Sequence, residues 1–247
     1  MGDDQSFAKD LATSAGELLL QIRREHLAAG TAEGKALAKA GDRGAQTHIA
    51  ARLAAERPED AVLSEEAVDD KARLGRERVW IIDPLDGTRE YSEDRHDWAV
   101  HVALWERGEL TAGAVALPGL GMTLSTAGEF PELGEPAQPV RLAVSRSRAS
   151  ELVLSVAEQI GAELVPMGSA GYKVSAVVRG EVDAYVHSGG QYEWDSAAPV
   201  AVAAAAGLHT SRIDGTPLEY NREDPYLPDL LVCRPRLHDA LLAAVAG

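Results

Sequence analysis

The stretch that most constrains this chain is V-W-I-I-D-P-L-D-G-T, residues 79–88, where four residues suited to a buried strand run straight into two carboxylates. Val79, Trp80, Ile81 and Ile82 belong inside a sheet, because β-branched and aromatic side chains fill a pleated, half-buried surface. Asp83 and Asp86 follow at the strand's end, with Pro84 fixing the turn between them. Gly87-Thr88 then allows a helix to begin with free N–H groups, which is an anion site. Two carboxylates beside an anion site make chemical sense if divalent cations sit between carboxylate and phosphate. Hard oxygen donors point to Mg2+ rather than Zn2+. The seven histidines form neither an HExxH spacing nor a Cys/His cluster, so His101 and His187 read as packed or exposed groups.

The chain has 247 residues, 45% of them hydrophobic, enough for one large domain or two closely packed lobes. Its net charge of -15 repels polyanions, which excludes long DNA or RNA as a partner. A small phosphorylated substrate would be repelled too, unless local cations reverse the sign. The single cysteine, Cys233, lies in the apolar run Leu230-Leu231-Val232-Cys233 and reads as a buried hydrophobe in a reducing compartment. The acidic N-terminus does not have the layout of a signal peptide, and no apolar run is long enough to span a bilayer. Met1-Gly2 with Ser6 matches an acylation pattern only formally, given Asp3 and Asp4. The expectation is a cytoplasmic protein without a membrane span.

Apolar residues at helical spacing predict a helix over 4–28, and a second is expected over 42–56, stopped by Pro58. Strands are expected at 61–64 and 79–82, a hairpin at 98–106 and 110–117, and a further strand at 122–126. Residues 128–139, rich in Pro, Gly and Glu, mark a boundary between an N-terminal lobe of about 1–130 and a C-terminal lobe of about 140–247. Beyond it a strand at 141–144, a helix at 149–160, a strand at 163–165, a helix at 170–179, a strand at 182–187 and a helix at 195–206 alternate. The fold class is therefore α/β, with helices and sheets in layers.

Acidic residues cluster at three further places: Asp42, the pair Glu65-Glu66 after a strand, and Asp195 in Trp194-Asp195-Ser196-Ala197-Ala198-Pro199. Taken singly, each is more often solvated than functional. Haloacid-dehalogenase-type phosphatases also place acids after an apolar strand, but their motif needs a proton donor two residues after the first aspartate. Leu85 stands there and cannot donate. A cation-activated water is the remaining nucleophile.

Asp83-Pro84-Leu85-Asp86-Gly87-Thr88, with Glu65-Glu66 upstream and Trp194 to Pro199 downstream, resembles the three signatures of the inositol monophosphatase superfamily, in that family's order and spacing. The resemblance implies an αβαβα sandwich of two packed lobes, a homodimer, sensitivity to Li+, and two to three Mg2+ ions. Glu65, Asp83 and the Leu85 carbonyl would hold the first ion. Asp83, Asp86 and Asp195 would hold the second, and a third would lean on Glu65. Thr88 paired with Asp42 would orient and deprotonate the attacking water, and the amides of Gly87 and Thr88 would hold phosphate oxygens. The family's V-T-x-x-D run is absent before Asp42, and neither Lys35 nor Lys39 receives a role.

Two further stretches bear on substrate. Arg89-Glu90-Tyr91 after Asp-Gly-Thr resembles the bisphosphate nucleotidases rather than the inositol phosphatases, although an exposed Arg89/Glu90 pair is the plainer reading. Gly168-Ser169-Ala170-Gly171-Tyr172-Lys173 is similar to the Gly-Ser-x-x-x-Lys run of CysQ-like 3'(2'),5'-bisphosphate nucleotidases. By that resemblance Gly168, Ser169 and Lys173 would meet a ribose hydroxyl and a second phosphate, beside Leu85, Asp86, Gly87, Thr88 and Asp195. Tyr172, Tyr192 and Trp194 are candidate faces for an adenine ring. The expected reaction is hydrolysis of 3'-phosphoadenosine 5'-phosphate to AMP, with the sulfated analogue as a related substrate. Inositol-1-phosphate and fructose-1,6-bisphosphate are the alternative substrates. A non-catalytic phosphate-binding relative is the alternative from another class, but it would have no use for Asp42 and Thr88.

Overall fold

Alternation along the central strands sorts the side chains into three apolar cores, and those cores stack the chain in five layers. The computed structural model describes residues 2–30, 34–147 and 149–247, so Met1 of the acylation-like pattern lies outside the described residues. The first sheet takes β1 (Ala61–Ser64), β2 (Arg78–Asp86), β3 (Ala99–Glu106), β4 (Glu109–Leu117) and β5 (Met122–Ser125) in that order. Only its β1–β2 pair is parallel. The second sheet has the order β7 (Glu163–Met167), β6 (Arg141–Ser145), β8 (Ala184–Tyr192), β10 (Tyr226–Cys233) and β9 (His209–Ser211).

On β2, Trp80 and Ile82 face an outer core with Phe7, Leu11 and Leu19 of α1 (Gly2–Ala28) and Leu37, Ile49 and Leu53 of α2 (Gly34–Glu56). Val79 and Ile81 face the opposite way, into a central core shared by both sheets. That core also contains α5 (Ala170–Val178) and α6 (Glu193–Ala205). The second sheet turns Leu142, Val186 and Leu231 outward against α4 (Glu151–Ile160) and α7 (His238–Ala246). Period-two side-chain placement on each strand is the cause of this division. Cys233 packs in that last core, where burial pushes its thiol up to about 12, as suits an inert hydrophobe.

Two readings of the sequence change. The second helix begins at Gly34 rather than residue 42, because Ala36, Leu37, Ala38 and Ala40 are good helix formers and Gly41 does not break it. A side chain at Gly41 would meet Tyr91 at 2.8 Å and Leu85 at 3.1 Å, so the glycine serves close packing of α2 on the turn after β2. Asp42 therefore stands within the helix, over that turn. The strand β10 was not visible in the pattern, since Pro228 interrupts it and its register slips between Leu227 and Asp229. No helix among the described residues is long and apolar enough to cross a membrane.

Helix α6 owes its alanine-rich sequence to its seat between the sheets. A methyl at Gly113 of β4 would lie 2.7 Å from Ala201 Cβ and 3.3 Å from the Ala198 carbonyl. Gly113→Ala is expected to cost about 1–3 kcal/mol by overpacking, read as a lower midpoint in chemical unfolding. An unchanged midpoint would mean that α6 does not rest on β4 as described.

Candidate active site

A bulge turns the two aspartates of β2 to one side. Asp83 pairs with His101 and Asp86 with Ala99, so three steps along β2 match two along β3. In an unbroken strand, residues three apart face opposite ways. The extra residue, at Pro84-Leu85 where proline cannot donate to the ladder, restores Asp86 to the face of Asp83. The Asp83 carboxylate closes the turn by accepting the Leu85 N–H at 2.9 Å. Gly87 follows at φ +89, and a Cβ there would meet Ser169 and Trp98, each at 3.1 Å.

Parallel pairing brings the next acid alongside. Ser64 ends β1 opposite Ile82, and the Glu65 N–H donates to the Ile82 carbonyl at 3.3 Å, placing Glu65 beside Asp83 at the open rim. Asp195 arrives from the first turn of α6, where it accepts the Tyr192 N–H at 2.7 Å. Pro199 has no N–H to give the Asp195 carbonyl, so the helix is loosened at this residue. One carboxylate oxygen each from Asp83, Asp86 and Asp195 lies within 4.8 Å of the others.

The electrostatics of this cluster are unbalanced. Burial, then Glu65 and Asp86, hold Asp83 well above the usual carboxylate range. Glu65 is raised to about 7 by loss of hydration, then by Asp195 and Asp86. Asp195 is raised to about 6 by burial, then by Asp86. Asp86 goes the other way: although burial opposes it, His101, Ser169 and the Gly171 N–H bring it down to about 2. Crowded oxygen donors whose ionised form is disfavoured for want of positive charge fit a hard divalent cation. Asp83, Asp86, Asp195 and Glu65 are the residues that would hold it.

Asp42 stands apart from this group and is raised to about 6 by burial, then by Glu66, while a hydrogen bond with Thr88 lowers it. The Thr88 hydroxyl also lies 3.2 Å from the Leu85 carbonyl. Having one proton, it donates to one of these partners at a time.

Residues 168–173 have other partners than the sequence suggested. The Lys173 ammonium is buried and donates to the carbonyls of Gly168 at 2.9 Å and Ser169 at 2.5 Å. Burial lowers it to about 8, against the pull of Asp86 and Glu90. With these bonds it braces its own loop. The Ser169 hydroxyl donates to Asp86. Tyr172 is buried with Arg179 over its ring, which removes it as an open stacking face. Tyr192 remains open, 45% exposed, stacked on Trp194 at 4.7 Å and met edge-on by Tyr226. Arg89 and Glu90 do not pair with each other: Arg89 bonds Glu93, and Glu90 is buried against Arg146 at 2.8 Å.

Sequence reasoning missed three groups. His101 is wholly buried, with Nδ1 3.0 Å from the Trp194 carbonyl and Nε2 3.2 Å from Asp86, off the line of a hydrogen bond. Burial opposes its protonation, but Asp86 raises its pKa. The available signal was a histidine on the inward row of a buried strand. Arg73, also buried, bonds Asn221 and the Arg222 carbonyl, while Glu193 accepts the N–H groups of both those residues. This ties the segment after Glu65 to the start of α6. Asp97 accepts the Gly168 N–H at 2.7 Å, fastening the loop before α5. Such partners are distant in sequence and carry no local pattern.

The chain matches the inositol monophosphatase family over residues 3–246. It is 51% identical to a 3'-phosphoadenosine 5'-phosphate phosphatase of Mycobacterium leprae, over 98% of this chain and 93% of that protein. It is 31% identical to the 3'(2'),5'-bisphosphate nucleotidase CysQ of Escherichia coli, over 88% of this chain and 94% of that protein. The crystal structure of CysQ from Bacteroides thetaiotaomicron superposes with a TM-score of 0.76 at 26% identity, covering 94% of this chain and 97% of that one.

The shifted carboxylates set how stability depends on pH. Asp42, Glu65 and Asp195 bind protons more tightly folded than unfolded, so their contribution is complete below the ordinary carboxylate range. It is lost as pH rises towards about 6 for Asp42 and Asp195, and about 7 for Glu65. Asp86, lowered to about 2, acts oppositely, and its contribution is lost only at more acid pH. Metal-free protein should therefore lose thermal stability from about pH 4 to 7, and Mg2+ should restore most at the upper end. Melting curves in chelator and in Mg2+ test this. A midpoint insensitive to Mg2+ at pH 7 would contradict the cation site.

Proposed function

We propose that this chain, which belongs to the inositol monophosphatase family and is a phosphatase, removes the 3'-phosphate of 3'-phosphoadenosine 5'-phosphate, giving AMP and phosphate with Mg2+ as cofactor. The observation that carries the reading is 51% identity, over nearly the whole chain, to a phosphatase of that name. The site supports it through the Asp83, Asp86 and Asp195 cluster.

Two or three Mg2+ ions held by Glu65, Asp83, the Leu85 carbonyl, Asp86 and Asp195 would supply charge neutralisation of the phosphate and acidify a water. The protein's own groups do the rest. The amides of Gly87 and Thr88 hold phosphate oxygens at the turn after β2. Thr88 orients the attacking water and passes its proton to Asp42. A carboxylate raised to about 6 is a stronger base than an ordinary aspartate and is still largely ionised near neutral pH. Tyr192, open on the rim three residues before Asp195, offers a face for the nucleobase. A base-binding ledge next to the acidic cluster favours a nucleotide over inositol-1-phosphate or fructose-1,6-bisphosphate. The sulfated analogue shares the same base and 3'-phosphate, and is the natural second substrate.

A panel of phosphomonoesters compared by kcat/KM tests this. The adenosine bisphosphate is expected to exceed inositol-1-phosphate and fructose-1,6-bisphosphate by at least about tenfold, the worth of one good stacking contact. Faster turnover of inositol-1-phosphate would overturn the substrate and leave the cation site standing.

A further inference from the structure

Asp86 is carried by β2, yet among the described residues its hydrogen-bond donors come from the start of α5. The Ser169 hydroxyl donates to Oδ2 at 2.5 Å, the Gly171 N–H to Oδ2 at 2.6 Å, and the Ala170 N–H to Oδ1 at 3.2 Å. With His101 also near Oδ2, that oxygen is saturated and only Oδ1 keeps a free direction. The carboxylate can then meet a cation in one orientation.

Ser169 reaches this position at a cost. Its backbone stands at φ +38 and ψ 142, a region L-residues rarely enter, worth on the order of 1–3 kcal/mol. Neighbouring groups hold it there. Its hydroxyl accepts the Tyr172 N–H at 3.0 Å, Lys173 donates to its carbonyl, and Asp97 anchors the preceding Gly168. A Cβ on Gly168 would come within 2.3 Å of Glu90, so the loop lies directly on that residue, which Arg146 fixes in turn. Strain maintained by this many partners, and ending on one oxygen of Asp86, marks a device for orienting that oxygen.

We propose that Ser169 is a positioning residue that sets cation affinity through Asp86 and does not contact substrate. The proposal rests on reading the site as a cation-dependent phosphatase. Partners that orient metal-ligating side chains are typically worth 10- to 100-fold in metal affinity.

Ser169→Gly separates this role from a purely structural one. Glycine enters positive φ freely and replaces serine as a helix cap at a cost of a few tenths of a kcal/mol, so the variant loses the hydroxyl and relieves the strain. Calorimetric titration of the full chain with Mn2+ should show affinity weakened by about 10- to 100-fold. The metal-free melting temperature should be no lower than wild type. Wild-type Mn2+ affinity in Ser169→Gly would overturn the proposal. A raised KM at unchanged Mn2+ affinity would also overturn it, in favour of a substrate contact. Failure of the wild-type chain to bind Mn2+ would overturn both this proposal and the reading of the site beneath it.

Discussion

Mutual repulsion among desolvated carboxylates at the end of β2 is the constraint on which the rest of the structure depends. Two like charges about 4 Å apart, at an effective dielectric near 20, oppose each other by about 4 kcal/mol. The protein collects Asp83, Asp86 and Asp195 within 4.8 Å and adds Glu65 at the rim. It offsets only part of that cost. Asp86 receives donors from α5 and lies beside His101, whereas Asp83, Glu65 and Asp195 are held above the usual carboxylate range, a shift that a bound cation would reverse. The molecule is thus organised to bring acids together and leave the compensating charge to be bound.

The layered fold makes this collection possible. Parallel pairing of β1 and β2 sets Glu65 next to Asp83, and the bulge at Pro84-Leu85 turns Asp86 to the same side. Gly113 lets α6 settle onto β4, bringing Asp195 up to the sheet's end, while Gly41 lets α2 bring Asp42 close. Long-range ties then fix the pieces: Arg73 and Glu193 on one side of the site, Asp97, Glu90 and Arg146 on the other. Asp83 and Asp86 come from β2, Glu65 from the end of β1, Asp195 from α6 and Asp42 from α2, so the site exists only when these elements are docked.

Much of this was legible in the sequence, for physical reasons. The strand before Asp83 is apolar on both faces because both faces are buried, and the layered α/β class follows from the alternation of elements, the five layers from the family resemblance. The acids Glu65, Asp83, Asp86 and Asp195 were legible because they lie at strand ends and a helix start, where local pattern is strong, whereas Asp42, read as a turn residue, stands within α2. A lysine near an anion site suggests a phosphate partner, and nothing local in the sequence announces that Lys173 folds back onto its own loop's carbonyls. Tyr172 likewise gave no sign that Arg179 would cover it. His101 and Arg73 act through partners far away in the chain, and no local periodicity encodes such contacts.

At about pH 6 burial and crowding favour the protonated form of Asp83 and Glu65, and a bound cation would displace those protons. Calorimetric titration of the wild-type chain with Mg2+ at about pH 6, repeated in buffers of different ionisation enthalpy, counts the protons released on binding. Asp83, with Glu65 raised to about 7 and Asp195 to about 6, predicts net release of about one proton or more per cluster, falling towards pH 8. Binding enthalpies that do not vary with the buffer would mean the carboxylates are already ionised, and would contradict the account.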